Sequence, residues 1–392
     1  MIVGFFWSRA LLSLSVAGLF MNALHPDTIR AYFSGWRNDA FSVFCLLFFL
    51  AYFLSGIWSS DKVQWWNAVT NKFPFAVLPF AFFSIPVARP RFRRWILIVL
   101  FLMQTLVICY SLFMLMTHFH FYVKGYNYSY SLPTTKYDDH IRFSLSLVLS
   151  LIIIFYLLFE RKSTTLSVTA YRLLFILGLL FIVYLHILAA KTGLVCFYLA
   201  TLIYICFCLA RKRLRLAALF AVVLLFPVVA YVSVPTFRTK INYVFYEIDV
   251  YKSQHVYNYQ LSDPGRVLSY KMGARLIKSH PLWGVGAGDV MDAMDSAYAV
   301  FHPEVPPEKR LVPHNQFLFS IVGLGFPLSL FLVGMCLPPF KREATPSIYP
   351  VLTSIIMVIA MMAEAMLEIQ FGVFIFLFFN LFWRGMRQRP LS

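Results

Sequence analysis

The stretch TGLVCFYLATLIYICFCLARKRLR, Thr192 to Arg215, runs for nineteen residues without a charge and then places four cations in five positions. As a helix rising about 1.5 Å per residue, such a run covers a hydrocarbon core roughly 30 Å thick. The basic cluster behind it marks a cytoplasmic end. Similar apolar runs recur along the chain at 5–24, 40–58, 71–87, 94–117, 141–159, 171–189, 192–210, 214–234, 315–337, 348–363 and 369–383. The 392 residues are 60% hydrophobic and only 13% charged, where soluble domains carry about a quarter; the mean hydropathy is +0.73. These runs predict an all-α polytopic membrane protein of about eleven to twelve transmembrane helices, a single transmembrane domain spanning 1–392.

Charge sets the orientation. The loops after the odd-numbered spans hold eighteen Lys and Arg, while the short loops opposite hold six: Lys62, Lys72, Lys124, Lys136, Arg142 and Lys191. The positive-inside rule then puts the odd loops in the cytoplasm and the C-terminus inside. The net charge of +17 needs no nucleic-acid partner, because the cations are scattered over short loops and not gathered on one solvated face. The first run lacks a basic n-region and a small-residue cleavage site, so it is expected to be a retained helix. All six cysteines fall within apolar runs without metal-ligand spacing, which suits packing.

The same orientation leaves one long segment outside, Pro235 to Val312. Within it, QLSDPGRVLSYKMGARLIKSHPLWGVGAGD predicts a helix of about sixteen residues, with Asp263 as N-cap, Pro264 at the first position and His280-Pro281 as the stop. Arg266 falls in its first turn; Lys271, Arg275 and Lys278 share one face. Gly284, Gly286 and Gly288 read as a flexible turn passing close behind this basic helix, since no βαβ unit surrounds them. A second outward loop carries Tyr122, Tyr126, Tyr128, Tyr130 and Tyr137, rings suited either to a membrane interface or to the apolar faces of sugars.

Three residues stand out chemically. His314, in LVPHNQFLF, precedes a membrane helix; the positive end of that helix disfavours imidazolium, and a neutral imidazole can act as a general base or simply bond the loop. Arg266 can grip phosphate oxygens in two places, or serve as a solvated surface charge. Lys191, in LAAKTGLV, lies at the membrane boundary between two spans, where an ammonium either snorkels or marks a site. Glu364 and Glu368, four apart, are expected on one helical face at an outward turn.

In combination, AAKTGLV, DPGRVLSYKMGARLIKSHPLWGVGAGD and PHNQFLFSIVGLG, in that order around a long outer loop, resemble the O-antigen ligase and polymerase superfamily. That resemblance implies a glycosyltransferase C-like membrane fold in the bacterial inner membrane, with the 235–312 loop periplasmic and carrying part of the site. It implies transfer of a glycan from a polyprenyl-diphosphate carrier to a sugar hydroxyl of lipid A-core, inverting, without metal, nucleotide or other cofactor. Polymerisation onto another lipid-linked glycan is the alternative within the family, and a transporter or flippase for the same anionic lipid is the alternative outside it. By similarity His314 is the catalytic residue and Arg266 binds the diphosphate; the cations Lys191, Arg275 and Arg142 are expected to bind it as well. Asn315 and Glu368 are supporting residues. Lys191 stands where the family's Ser-Arg-Thr-Gly turn has arginine, so it offers a point charge in place of a fork.

Overall fold

The computed structural model describes residues 1–26, 29–82, 89–128, 130–135, 139–160, 167–254, 261–337 and 347–386, and among these every regular element is helical. In chain order they are α1 (Ile2–Trp7), α2 (Arg9–Ala23), α3 (Ile29–Arg37), α4 (Ala40–Leu54), α5 (Lys62–Phe82), α6 (Pro90–Thr117), α7 (Phe119–Gly125), α8 (His140–Phe155) and α9 (Val168–Leu188). There follow α10 (Lys191–Ala210), α11 (Leu214–Val223), α12 (Phe226–Ser233), α13 (Pro235–Gln254), α14 (Ser262–Ser279), α15 (Val290–Phe301), α16 (Gln316–Cys336), α17 (Ile348–Ala363) and α18 (Gln370–Gly385). Seven helical segments among the described residues are long and apolar enough to cross a membrane. The protein is an all-α polytopic membrane protein.

Where it is described, each expected span lies on a helix, but four differ in shape, the ninth by a break at Gly325. The first is broken at Ser8, whose extended backbone lets its hydroxyl accept from Leu11 N and cap α2. That break folds α1 back into the bundle, where Phe5 stacks on Phe371 at 4.1 Å. The eighth is divided into α11 and α12, with Pro227 in the first turn of the second piece, a position that needs no backbone N–H. The third begins at Lys62 instead of residue 71. Lys72 is therefore not a loop cation: it is wholly buried and bonds Glu368 at 2.7 Å.

The glycine-rich segment is not the flexible turn its composition suggests. Helix α16 is broken at Gly325, with φ 74° and ψ 173°, and Pro327 follows. Two helical carbonyls lose their donors there. Phe326 N turns to Pro281 O at 2.9 Å, and Pro327 has no N–H to offer Gly323. The freed carbonyls of Val322 and Gly323 accept from Val285 N and Gly286 N at 2.8 and 3.0 Å. A Cβ at Gly325 would lie 2.1 Å from Leu282 O, and one at Gly284 2.5 Å from Val322 O. Gly284 thus approaches the broken helix, while a Cβ at Gly286 would lie 2.5 Å from Ser59 Oγ and one at Gly288 2.2 Å from Asp61 O, and these contacts hold the segment after α14 against the bundle.

Helices α13, α14 and α15 fill that segment. Leu268, Met272, Val290, Met294 and Tyr298 form a small core of their own, closed by Val322 of α16. Helix α14 begins at Ser262 with Leu261 as its cap residue, so Asp263 is inside the first turn and its carboxylate is spent elsewhere.

Gly325→Ala should destabilise the protein by roughly 2–5 kcal/mol, from left-handed strain and the clash with Leu282 O. Thermal unfolding of the purified protein in detergent reads this, and an unchanged Tm would refute the rigid docking.

Candidate functional site

Five elements bring polar side chains together at one end of the bundle. Helix α10 starts at Lys191 because Ala189 turns through φ 48° and ends α9. The same first turn carries Gly193, where a Cβ would meet Ser144 Oγ of α8 at 2.3 Å. This close approach sets Lys191 beside the first turn of α8, which carries Arg142. The Lys191 ammonium bonds Glu247 of α13 at 2.8 Å and Asp263 of α14 at 2.9 Å.

Glu364 joins the other two residues. It is the extended residue that ends α17; one oxygen accepts from Arg266 Nη2 at 2.6 Å and the other faces His314 Nδ1 at 3.3 Å. Burial pushes the Glu364 carboxyl up, but the bond with His314 and the charges of Arg266 and Arg142 outweigh it and hold the group below its ordinary value. His314 is also fixed through its backbone: Tyr270 donates its hydroxyl to His314 O at 2.9 Å, and Ser269 Oγ accepts from His314 N at 3.4 Å. Both partners lie on α14, so the helix that carries Arg266 also carries the supports of His314. Among the described residues no hydrogen bond engages His314 Nε2.

The remaining residues singled out from sequence divide clearly. Arg142 belongs to the cluster, pairing with Asp139 at 2.8 Å, and its buried Nε has no hydrogen-bond partner among the described residues. A buried donor left unpaired costs about 1–3 kcal/mol, which a phosphate oxygen would recover. Asn315 is the N-cap of α16, its Oδ1 accepting from Phe317 N and Leu318 N at 2.9 and 3.1 Å. Arg275 lies apart, exposed on α14 and stacked over the Phe301 ring at 3.9 Å. Glu368 and Glu364 do not share a helical face, because Glu364 is extended and Glu368 sits in a short 3₁₀ turn. Glu368 bonds Lys72, Tyr52 and Gln316 instead. Of the outer tyrosines, Tyr126 is buried and its hydroxyl donates to Leu188 O at 2.9 Å, whereas Tyr128 and Tyr130 are exposed; Tyr137 lies outside the described residues.

Three groups were not assigned a role from sequence. Glu247 and Lys240 sit seven apart on α13, two turns along one face, a spacing that marks them as neighbours once that segment is known to be helical. Glu364 was legible only as one of two carboxylates at a turn.

Residues 173–333 match the O-antigen ligase family model. The matched region contains Lys191, Glu247, Asp263, Arg266 and His314. No curated protein matches the chain.

Glu364→Gln tests the shared carboxylate. Its folded value lies below the ordinary 4.5, so its stabilising contribution is full above about pH 4.5 and is lost as pH falls through the folded value. The variant should lose about 1.5–3 kcal/mol at neutral pH, the worth of hydrogen bonds to charged groups, and converge on wild type in acid. Thermal unfolding from about pH 3 to about pH 8, a range that brackets the ordinary carboxyl value, would overturn this if the two curves ran parallel throughout.

Proposed function

We propose, taking as premise that the chain belongs to the O-antigen ligase and polymerase superfamily, that it moves a glycan from a polyprenyl-diphosphate carrier to an acceptor hydroxyl. The observation that carries this is Glu364, which holds Arg266 with one oxygen and His314 with the other. A cation suited to a diphosphate and a base suited to a hydroxyl are thereby one carboxylate apart, although 48 positions separate them in sequence.

The chemistry follows from those atoms. Arg266 and Arg142 take diphosphate oxygens, with Lys191 adding a point charge, and stabilise the negative charge that grows as the carrier departs. Glu364 accepts a hydrogen bond from His314 Nδ1–H, which fixes the tautomer and leaves the Nε2 lone pair for the acceptor. The acceptor oxygen bonds the anomeric carbon while its proton passes to Nε2. The bond from that carbon to the diphosphate oxygen breaks, its electron pair leaving with the carrier. Attack opposite the leaving group inverts the anomeric configuration. Cationic residues supply the leaving-group stabilisation, so the step needs no metal or nucleotide.

We assign the reaction to the periplasmic face of the inner membrane, and lipid A-core as acceptor. Transfer in the presence of chelator, from a polyprenyl-diphosphate glycan to lipid A-core or to a second lipid-linked glycan, distinguishes ligase from polymerase. His314→Ala should lower kcat about 10²–10⁴-fold with donor binding kept. Arg266→Lys should chiefly raise the donor KM, because the fork is lost. Donor binding without transfer to any acceptor, unaffected by His314→Ala, would replace this function with transport.

A further inference from the structure

Most of the cations around the site are already held by anions. Arg142 is bonded to Asp139, Lys191 to Glu247 and Asp263, and Arg266 to Glu364. A diphosphate reaching Lys191 or Arg266 must displace or share a carboxylate, so the exchange gains little net charge interaction; at Arg142 the buried Nε is unpaired among the described residues. Lys240 differs. It lies partly buried on α13, with its ammonium 5.0 Å from the centre of the Tyr243 ring, and no carboxylate is bonded to it among the described residues.

We infer that Lys240 is a further ligand of the donor diphosphate, an ammonium that among the described residues has no bonded carboxylate to surrender first. The inference rests on the function proposed above. The placement follows from α13: Glu247, two turns along the same helical face, bonds Lys191 at 2.8 Å, so that face is turned to the candidate site, and the charges of Lys191 and Arg266 are felt at Lys240. So are those of Glu247 and of Asp263 on α14. From the other helices packed on α13, the Tyr126 hydroxyl is bonded to Leu188 O, and the His186 ring to Ile182 O and Tyr198. Burial, with repulsion from Lys191 and Arg266, holds the Lys240 ammonium down at about 8 against the pull of Glu247 and Asp263. An arriving dianion reverses that balance. It favours the charged form, so Lys240 should take up a proton as the donor binds from solutions above about pH 8.

The test is direct binding of undecaprenyl diphosphate, without a glycan, to the full-length protein in detergent, measured by calorimetry from pH 6.5 to 9.5, the range that brackets the Lys240 value of about 8. Wild type should bind progressively more weakly above about pH 8 and take up protons there, as seen by comparing buffers of different ionisation enthalpy. Lys240→Arg, whose charge does not titrate in this range, should bind with a flatter profile and little proton uptake. Lys240→Gln should bind roughly tenfold to a hundredfold more weakly at neutral pH. If wild type binds while Lys240→Gln binds equally well with the same pH profile, the role of Lys240 is overturned and the glycosyltransferase function stands. If wild type does not bind the lipid diphosphate at all, both fall together.

Discussion

The ammonium of Lys72 is wholly buried in the middle of α5, and the geometry of the site depends on how it is satisfied. A charge in such a place costs several kcal/mol unless an ion and further hydrogen bonds surround it. Lys72 takes Glu368 Oε2 at 2.7 Å and Leu367 O at 2.9 Å, and lies 4.6 Å from the centre of the Tyr52 ring. The other Glu368 oxygen accepts from Gln316 Nε2 at 2.7 Å, and Gln316 Oε1 in turn accepts from Leu367 N at 2.6 Å. Every one of these bonds closes on the turn between α17 and α18. Gln316 follows His314 by two residues and Glu368 follows Glu364 by four, so the network around the buried cation helps to set the approach of His314 to Glu364.

Above that turn, the site is organised by charge pairing across elements that are remote in sequence. Asp263 joins α14 to the head of α10, Glu247 joins α13 to the same ammonium, and Glu364 joins the end of α17 to α14. A carboxylate is a reasonable stand-in for a phosphate group: both are anionic acceptors that match a guanidinium fork. Under the proposed function, a diphosphate would meet cations already ordered by groups that it can replace, which lowers the reorganisation needed for binding.

Much of this was legible beforehand, and the reasons for the rest are physical. Hydropathy located each span because the requirement for about twenty apolar residues is strict, and the DPGR helix was legible because proline and the His280-Pro281 stop punctuate it locally. Lys72 was misplaced in a loop because hydropathy treats a buried, compensated ammonium as a boundary. The glycine segment was read as flexible because its partners, the carbonyls of Val322 and Gly323, are set free only by a helix break at Gly325 and Pro327. Arg275 was counted with the diphosphate cations from shared helical spacing, but Phe301 on α15 captures its guanidinium. Periodicity gives the face of a helix; it does not say which neighbour that face will meet.

Two rigid associations meet at the candidate site, and this bears on how a ligand is held. In one, α14 and α16 are joined by the small core around Met272 and Val322 and by the ladder at Val285 and Gly286; it carries Arg266 and His314. In the other, α8 and α10 approach so closely at Ser144 and Gly193 that no Cβ fits between them; it carries Arg142 and Lys191. The Lys191–Asp263 pair crosses from one to the other. That pair is partly exposed, with Asp263 46% accessible, so it contributes at most about 1 kcal/mol. Under the proposed function a weak brace is the suitable kind, because a diphosphate entering between the two associations would take its place at small cost while the buried contacts within each remain intact.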